Sequence, residues 1–186
     1  SIEGFPCLHE FQVGGIVLMP TEGVLRTVPG AVNDTTGMGS RSRFDHAEEV
    51  AIPGYYAVDL RDYGIHAELT ATPRVAFQRY TFPASEESHI LFDIGNRQGE
   101  SGATVDAEVR LTEEGLVEGW VITEPEYVKK YEPGSQVPLY FSAQLDKQPT
   151  GYGTFHGEQV EAGQSVATGV GAGLYLTFST AEQESI

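Results

Sequence analysis

Apolar and polar residues alternate along most of the chain, a pattern typical of β-strands with one buried face. In the clearest run, Tyr56, Val58 and Leu60 share one face. The same period predicts strands over residues 65–69 and 75–80, and further strand candidates cover residues 16–19, 89–94, 103–111, 116–122, 139–145 and 174–178. Turn residues such as Pro53-Gly54 separate these runs, and residues 112–115 predict a hairpin turn. This spacing favours one large antiparallel β-sandwich.

Helical periodicity is nearly absent from the sequence. Ser179 followed by Glu182 fits a capping box, which predicts that a helix begins at the C-terminus. We therefore divide the chain into a β-sandwich over residues 1–178 and the start of a helix over residues 179–186. Residues 28–43 are rich in Gly, Ser, Asn, Asp and Thr and predict one long loop. Loops of that length are often functional.

The composition excludes several classes of function. Among 186 residues, 27 are acidic and 11 basic, which gives a net charge of −16. So acidic a chain disfavours nucleic acid and anionic membranes as partners. No apolar run approaches the 18 residues of a membrane span. With a single cysteine, Cys7, the chain has no internal disulfide and no cysteine-based zinc site.

A cluster of charged residues at positions 41–49 is the first candidate site. Arg43, His46 and Glu49 combine a guanidinium, an imidazole and a carboxylate within seven positions. Sugar hydroxyls need both donors and acceptors, which these groups supply. The alternative interpretation is a solvated loop whose charges neutralise one another.

A second candidate lies near the N-terminus, where His9 precedes Glu10. The pair could act as an oriented general base, although neighbouring residues pair directly only in a loop. The alternative is an exposed histidine and glutamate without a role. We interpret Cys7 as a small buried apolar residue rather than a nucleophile.

The remaining motifs give weaker evidence for a functional site. The remaining histidines lack zinc-binding spacing, and no calcium-loop pattern occurs, so we predict no metal ligand in this chain. The glycine run at 169–173 precedes a strand and lacks a Lys-Ser/Thr tail, so it is not a phosphate loop. Trp120 alternates with Leu116 and Glu118, and we interpret it as a core residue, with a sugar-stacking platform as the alternative.

Three segments resemble a known family. Residues 42–56, SRFDHAEEVAIPGYY, are similar to the pattern S-x-F-x-H-x-x-E-x-A-x-P-G-Y-Y of glycoside hydrolase family 92, the calcium-dependent exo-α-mannosidases. Residues 68–83, ELTATPRVAFQRYTFP, resemble that family's E-L-T-A-T-x-R-x-G-x-H-R-Y-T-F-P, and residues 16–20, IVLMP, resemble I-L-L-M-P. The register between these segments also agrees, so the resemblance covers nearly the whole chain.

The resemblance implies a fold and a function. The family joins an N-terminal supersandwich of the galactose-mutarotase-like type through linker helices to an (α/α)₆ barrel. This chain resembles the sandwich, without its first strands, and its residues 179–186 resemble the start of a linker helix to that barrel. The implied function is that of the N-terminal domain of an inverting exo-α-mannosidase of the α-1,2 type, which removes terminal mannose from glycans. The sandwich packs on the barrel and lends side chains to the substrate pocket.

The resemblance also implies which of the two domains holds the catalytic residues and the calcium ligands. Both catalytic carboxylates and the calcium ligands belong to the barrel, so this chain holds no catalytic residue and is expected to be inactive alone. Its implied partners are that barrel and a mannose-containing glycan. The implied location is outside the cytoplasm of a bacterium: secreted, periplasmic or on the cell surface.

One departure from the family pattern affects the expected site. The family reads G-F-S-H-T-H-L-S-G where this chain has GFPCLHE at residues 4–10, so only His9 keeps a histidine and Cys7 replaces the other. We predict substrate contacts at His9 and Glu10 first, and at Arg43, His46 and Glu49 second. The altered loop leaves two alternatives open: a mannosidase specific for mannose-1-phospho-6-mannose, or a non-catalytic carbohydrate-binding or structural sandwich.

Overall fold

Three antiparallel sheets make up the part of the chain that the computed structural model describes, residues 1–7, 15–32, 39–95 and 102–186. The strands and the one short helix in these ranges are β1 (Phe5–Pro6), β2 (Val17–Glu22), β3 (Val50–Ile52), β4 (Tyr55–Leu60), β5 (Ile65–Ala71), β6 (Ala76–Phe82), β7 (Ser85–Asp93), β8 (Ala103–Leu111), β9 (Val117–Glu124), α1 (Glu126–Tyr131), β10 (Val137–Ala143), β11 (Gly151–His156), β12 (Gln159–Ala162), β13 (Val166–Thr168), β14 (Ala172–Thr180) and β15 (Glu184–Ser185). The predicted antiparallel all-β fold is confirmed.

The three sheets share one hydrophobic core. Their strand orders are β1-β2-β7-β14-β11-β12, β10-β9-β8-β13 and β15-β6-β5-β4-β3. The four-stranded sheet approaches the six-stranded one where β8 and β13 meet β14. The five-stranded sheet meets the six-stranded one where the ring of Phe5 on β1 lies 6.0 Å from that of Tyr80 on β6. Buried residues from all three sheets form a single cluster.

The central strands of the six-stranded sheet, β7 and β14, are buried on both faces. Ile90 and Phe92 lie on one face of β7, and His89 and Leu91 lie on the other, yet all four are buried. The second face is covered in part by the segment after β2, whose Gly23 carbonyl oxygen lies 2.9 Å from His89 Nε2. Burial on two faces explains the near-continuous apolar run of this strand.

Strands β11 and β14 are locked by two reciprocal pairs of a glycine and an aromatic residue. Phe155 lies opposite Gly173, and Tyr175 lies opposite Gly153. A Cβ added at Gly153 would come within 2.7 Å of the Tyr175 ring, and one added at Gly173 would overlap the Phe155 ring. Each glycine therefore provides the space that the opposite ring fills.

The prediction of a helix over residues 179–186 is wrong. Ser179 and Thr180 complete β14, and β15 then pairs with β6. The Glu182 carboxylate accepts a hydrogen bond from the Ala84 amide at 3.2 Å, instead of capping a helix. The last residue, Ile186, is buried, and its backbone exchanges two hydrogen bonds with Tyr80. Pairing with a sheet edge thus outweighs the local capping pattern.

The one helix in the described ranges, α1, was not predicted. It has six residues, none of them buried. So short a helix shows no amphipathic period. None of the helices in those ranges has the length and apolar character needed to cross a membrane.

The interpretation of Trp120 as a core residue is also wrong. Strand β9 begins at Val117, one residue after the alternation that starts at Leu116, and its buried residues are Val117, Val121 and Thr123. A shift of one position moves a side chain to the opposite face of a sheet. Trp120 therefore lies on the outer face of the four-stranded sheet, where it is partly exposed.

Candidate functional site

The predicted cluster at positions 41–49 precedes β3 and packs beside the five-stranded sheet. Arg43 donates from Nε to Asp62 Oδ1 at 2.8 Å, and its amide donates to Oδ2 at 2.7 Å. The hydrogen bond from the Arg43 side chain is the main reason that the pKa of Asp62 is lowered. Arg61 similarly bridges Asp45 and Glu48 at 3.0 and 2.9 Å. These ion pairs neutralise most of the charge in the loop.

His46 and Glu49 form a hydrogen-bonded chain with Tyr56 on β4. His46 Nδ1 lies 2.7 Å from Glu49 Oε2, and the Tyr56 hydroxyl donates to Glu49 Oε1 at 2.6 Å. The bonds from Tyr56 and then His46 lower the pKa of Glu49. The His46 side chain is 83% exposed. Glu49 therefore orients an imidazole that faces solvent and can bind a hydroxyl group.

A second carboxylate network lies on the outer face of the five-stranded sheet. Glu68 on β5 receives two hydrogen bonds from the guanidinium of Arg79, at 2.7 and 2.8 Å, and one from the Tyr55 hydroxyl at 2.8 Å. The Arg79 bonds, followed by that from Tyr55, lower the pKa of Glu68 to about 2. Sequence reasoning did not include these residues in the site, although Glu68 and Arg79 both lie in the family-like segment 68–83.

The N-terminal segment reaches the same sheet through Cys7. Gln78 Nε2 on β6 donates a hydrogen bond to Cys7 Sγ at 3.6 Å, and the Tyr80 hydroxyl donates to Gln78 Oε1. Burial raises the pKa of Cys7 to about 11, so the thiol stays protonated at neutral pH. This agrees with the interpretation of Cys7 as a small apolar residue. His9 and Glu10 lie outside the described residues.

One row of the five-stranded sheet connects these two places. Tyr56 pairs with Leu69, and Leu69 pairs with Gln78, so the three side chains share a face. Adjacent strands lie about 4.8 Å apart, which puts the backbones of Tyr56 and Gln78 about 10 Å apart. The fold thus brings the His46–Glu49 network and the Cys7 end of the N-terminal segment to one side of the sheet.

The Glu68–Arg79 pair should make the stability depend on acid pH. Because folding lowers the pKa of Glu68 from 4.5 to about 2, its contribution is complete above pH 4.5 and is lost as the pH falls towards 2. The difference in unfolding free energy between wild type and Glu68→Gln should therefore shrink over this range. Urea titrations at several pH values measure it. An unfolding free energy that changes with pH equally in the two proteins would contradict the lowered pKa of Glu68.

The family model for the glycosyl hydrolase family 92 N-terminal domain matches residues 1–186. The chain belongs to glycosyl hydrolase family 92. The match confirms the resemblance drawn from residues 16–20, 42–56 and 68–83. These segments form β2, the loop with the β3–β4 hairpin, and the β5–β6 hairpin. No curated protein sequence gives a significant match to this family 92 chain.

Solved structures of the family share this fold. The GH92 α-mannosidase BT3965 from Bacteroides thetaiotaomicron is 26% identical, with a TM-score of 0.80, over 93% of this chain and 23% of that one. The GH92 inverting mannosidase BT2199 from B. thetaiotaomicron VPI-5482 is 21% identical, with a TM-score of 0.65, over 91% and 20%. The GH92 hydrolase ccman5 is 23% identical, with a TM-score of 0.67, over 89% and 22%. This family 92 chain thus spans less than a quarter of each relative.

Proposed function

We propose that the chain is the N-terminal domain of an inverting exo-α-mannosidase of the α-1,2 type, which hydrolyses terminal mannose from glycans. The observation that carries this proposal is the family 92 match over residues 1–186. The similarity to an α-mannosidase over 93% of the chain supports it. The partners that we propose are a mannose-containing glycan and an (α/α)₆ catalytic domain of the same protein, in a secreted, periplasmic or cell-surface bacterial enzyme.

Hydrolysis with inversion needs two carboxyl groups, and we propose that both belong to the catalytic domain. One carboxylic acid protonates the leaving oxygen, and a carboxylate roughly 6.5–9.5 Å away activates water. A general acid needs a raised pKa, whereas the pKa values of Glu49 and Glu68 are lowered by their hydrogen bonds. These two carboxylates are therefore better suited to hold neighbouring side chains than to transfer a proton.

We assign calcium to the catalytic domain as well. Calcium takes six to eight oxygen ligands. Within residues 1–7, 15–32, 39–95 and 102–186, the His, Cys, Asp and Glu side chains form no group of three suited to a metal ion. The described residues therefore do not fit a calcium site.

We propose that this domain supports the substrate pocket and lines part of it. We propose that His9 and Glu10 contact the sugar, with Arg43, His46 and Glu49 as the second choice. On one face of the five-stranded sheet, Val50, Ile52 and Phe77 are exposed apolar side chains. The Glu68–Arg79 pair lies on the same face, because Val50 pairs with Ala57, Ala57 with Glu68 and Glu68 with Arg79. An apolar centre with a polar rim is typical of an interface, so we propose that the catalytic domain docks there.

The test joins this chain to a family 92 catalytic domain in one polypeptide and measures mannose release. We expect hydrolysis of α-1,2-mannobiose, loss of activity with a calcium chelator and recovery on adding calcium. NMR of the first product should detect the β-anomer, because an α-linkage is cleaved with inversion. An α-anomer as first product, or no mannose release, would exclude the proposal. Faster cleavage of mannose-1-phospho-6-mannose would favour that alternative specificity.

Replacing His9 by alanine in that polypeptide should lower kcat/KM by about tenfold or more, a loss of roughly 1.4 kcal/mol in transition-state stabilisation. A neutral imidazole both donates to and accepts from a sugar hydroxyl, which alanine cannot do. The matched control is His156→Ala, since His156 lies on β11 in a different sheet. Unchanged kinetics in His9→Ala, with folding intact, would remove this residue from the site.

A further inference from the structure

The outer face of the four-stranded sheet carries a row of side chains that the proposed catalytic role does not use. Tyr140 on β10 pairs with Trp120 on β9, and Trp120 pairs with Glu108 on β8. The residues next to Trp120 and Glu108 in these strands, such as Val121 and Ala107, are fully buried. Side chains alternate between the faces of a strand, so the row points away from the core. Tyr140 is 75% exposed.

The adjacent row supplies hydrogen-bonding groups beside the two aromatic rings. Glu118 on β9 pairs with Arg110 on β8, and Arg110 Nη2 lies 3.0 Å from Glu118 Oε2. Arg110 Nη1 also lies 3.6 Å from Glu108 Oε1. The guanidinium is therefore held between two carboxylates on the same face as Trp120 and Tyr140. Donors and acceptors alternate there within reach of one small ligand.

This combination fits a neutral sugar better than other ligands. Aromatic rings offer an apolar surface for the C–H face of a pyranose, and carboxylates and a guanidinium bind its hydroxyls. Two carboxylates against one guanidinium disfavour phosphate groups, which removes nucleic acids and anionic lipids. Charged residues are depleted at the centre of protein–protein interfaces, whereas Glu108, Arg110 and Glu118 lie in the middle of this face.

We propose that this face is a binding surface for a neutral oligosaccharide. One pyranose ring stacks on Trp120 and Tyr140, and its hydroxyls bind Glu108, Glu118 and Arg110. The surface is distinct from the candidate site, which is on the five-stranded sheet. The proposal does not rest on the mannosidase function, because it uses only the residues of the four-stranded sheet.

The test uses the fluorescence of Trp120, the single tryptophan of the 186-residue chain. Titration with α-linked mannotetraose, and separately with cellotetraose, should change the tryptophan emission in a saturable way for at least one sugar. Tyr140→Ala should weaken the binding by about tenfold or more, because the sugar loses one of the two rings on which it stacks. The matched control, Tyr152→Ala, removes a tyrosine side chain that is 38% exposed on the six-stranded sheet and should bind as wild type does.

A second measurement, migration in gels that contain mannan or cellulose-derived glucan, detects binding that leaves the emission unchanged. Far-UV circular dichroism should first establish that the variants fold alike. Binding that Tyr140→Ala leaves intact, or no binding by either method up to about 10 mM sugar, would overturn the proposal. In the polypeptide with its catalytic domain, Tyr140→Ala should still hydrolyse a small aryl mannoside, so this result is separable from the catalytic proposal.

Discussion

Replacing Phe155 by alanine should lower the unfolding free energy by about 3–5 kcal/mol. The ring is buried among the apolar residues of the core and covers Gly173 on the neighbouring strand. Its removal leaves a cavity, and Gly173 has no side chain that can fill it. Because β14 lies between β7 and β11 in the six-stranded sheet, little of the surroundings can move into the space.

Thermal and urea unfolding of the 186-residue chain, followed by circular dichroism, measures this effect. For a chain of this size, each kcal/mol corresponds to about 2–4 °C in Tm, so Phe155→Ala should melt about 6–20 °C below wild type. The control is Tyr152→Ala on the same strand, a side chain that is 38% exposed. Because more than half of this side chain is buried, Tyr152→Ala should lower the stability by about 1 kcal/mol, well below the effect of Phe155→Ala. A Phe155→Ala protein that melts with the Tyr152→Ala control would contradict the packing described.

The 186-residue chain alone should release no mannose from an aryl α-mannoside or from α-1,2-mannobiose. An inverting reaction needs a carboxylic acid and a carboxylate, and we assign both to the catalytic domain. In the described part of this chain, Glu49 and Glu68 are held ionised by hydrogen-bond donors. We therefore expect no turnover by the chain alone, in contrast to the polypeptide that joins it to a catalytic domain.

A heat-denatured sample of the same preparation provides the background for this assay. Mannose release by the purified chain should equal this background over hours of incubation. The polypeptide that joins the chain to a family 92 catalytic domain should release mannose above it. Mannose release by the folded chain above the denatured background would place an acid and a base within its 186 residues.

The sequence predicted those strands that carry an apolar period or a continuous apolar run. The alternation at Tyr56, Val58 and Leu60 predicts β4 because one side of that strand is buried. Strand β12 was not predicted, since all four of its residues are exposed and no apolar period marks them. Trp120 was assigned to the wrong face because alternation specifies two faces but does not identify which one meets the core.

The candidate site was predicted only at the level of residue types. The spacing of His46 and Glu49 allowed their contact, which the structure contains at 2.7 Å. Their link to Tyr56 and the pairing of Glu68 with Arg79 depend on strand register and on the turn between β5 and β6. Short segments do not specify such contacts. The family-like pattern in residues 42–56 and 68–83 indicated these positions without assigning them partners.

The backbone pairing of Ile186 with Tyr80 has a mechanical consequence. Tension applied at the C-terminus would act first on the two hydrogen bonds between these residues and on β15, and not on the long central strands. Tyr80 also contacts Phe5 and Gln78, and Gln78 holds Cys7. Displacement of the C-terminus would thus be transmitted through β6 to Phe5 and Cys7, so a pull at one end of the chain would act on the segment near its other end.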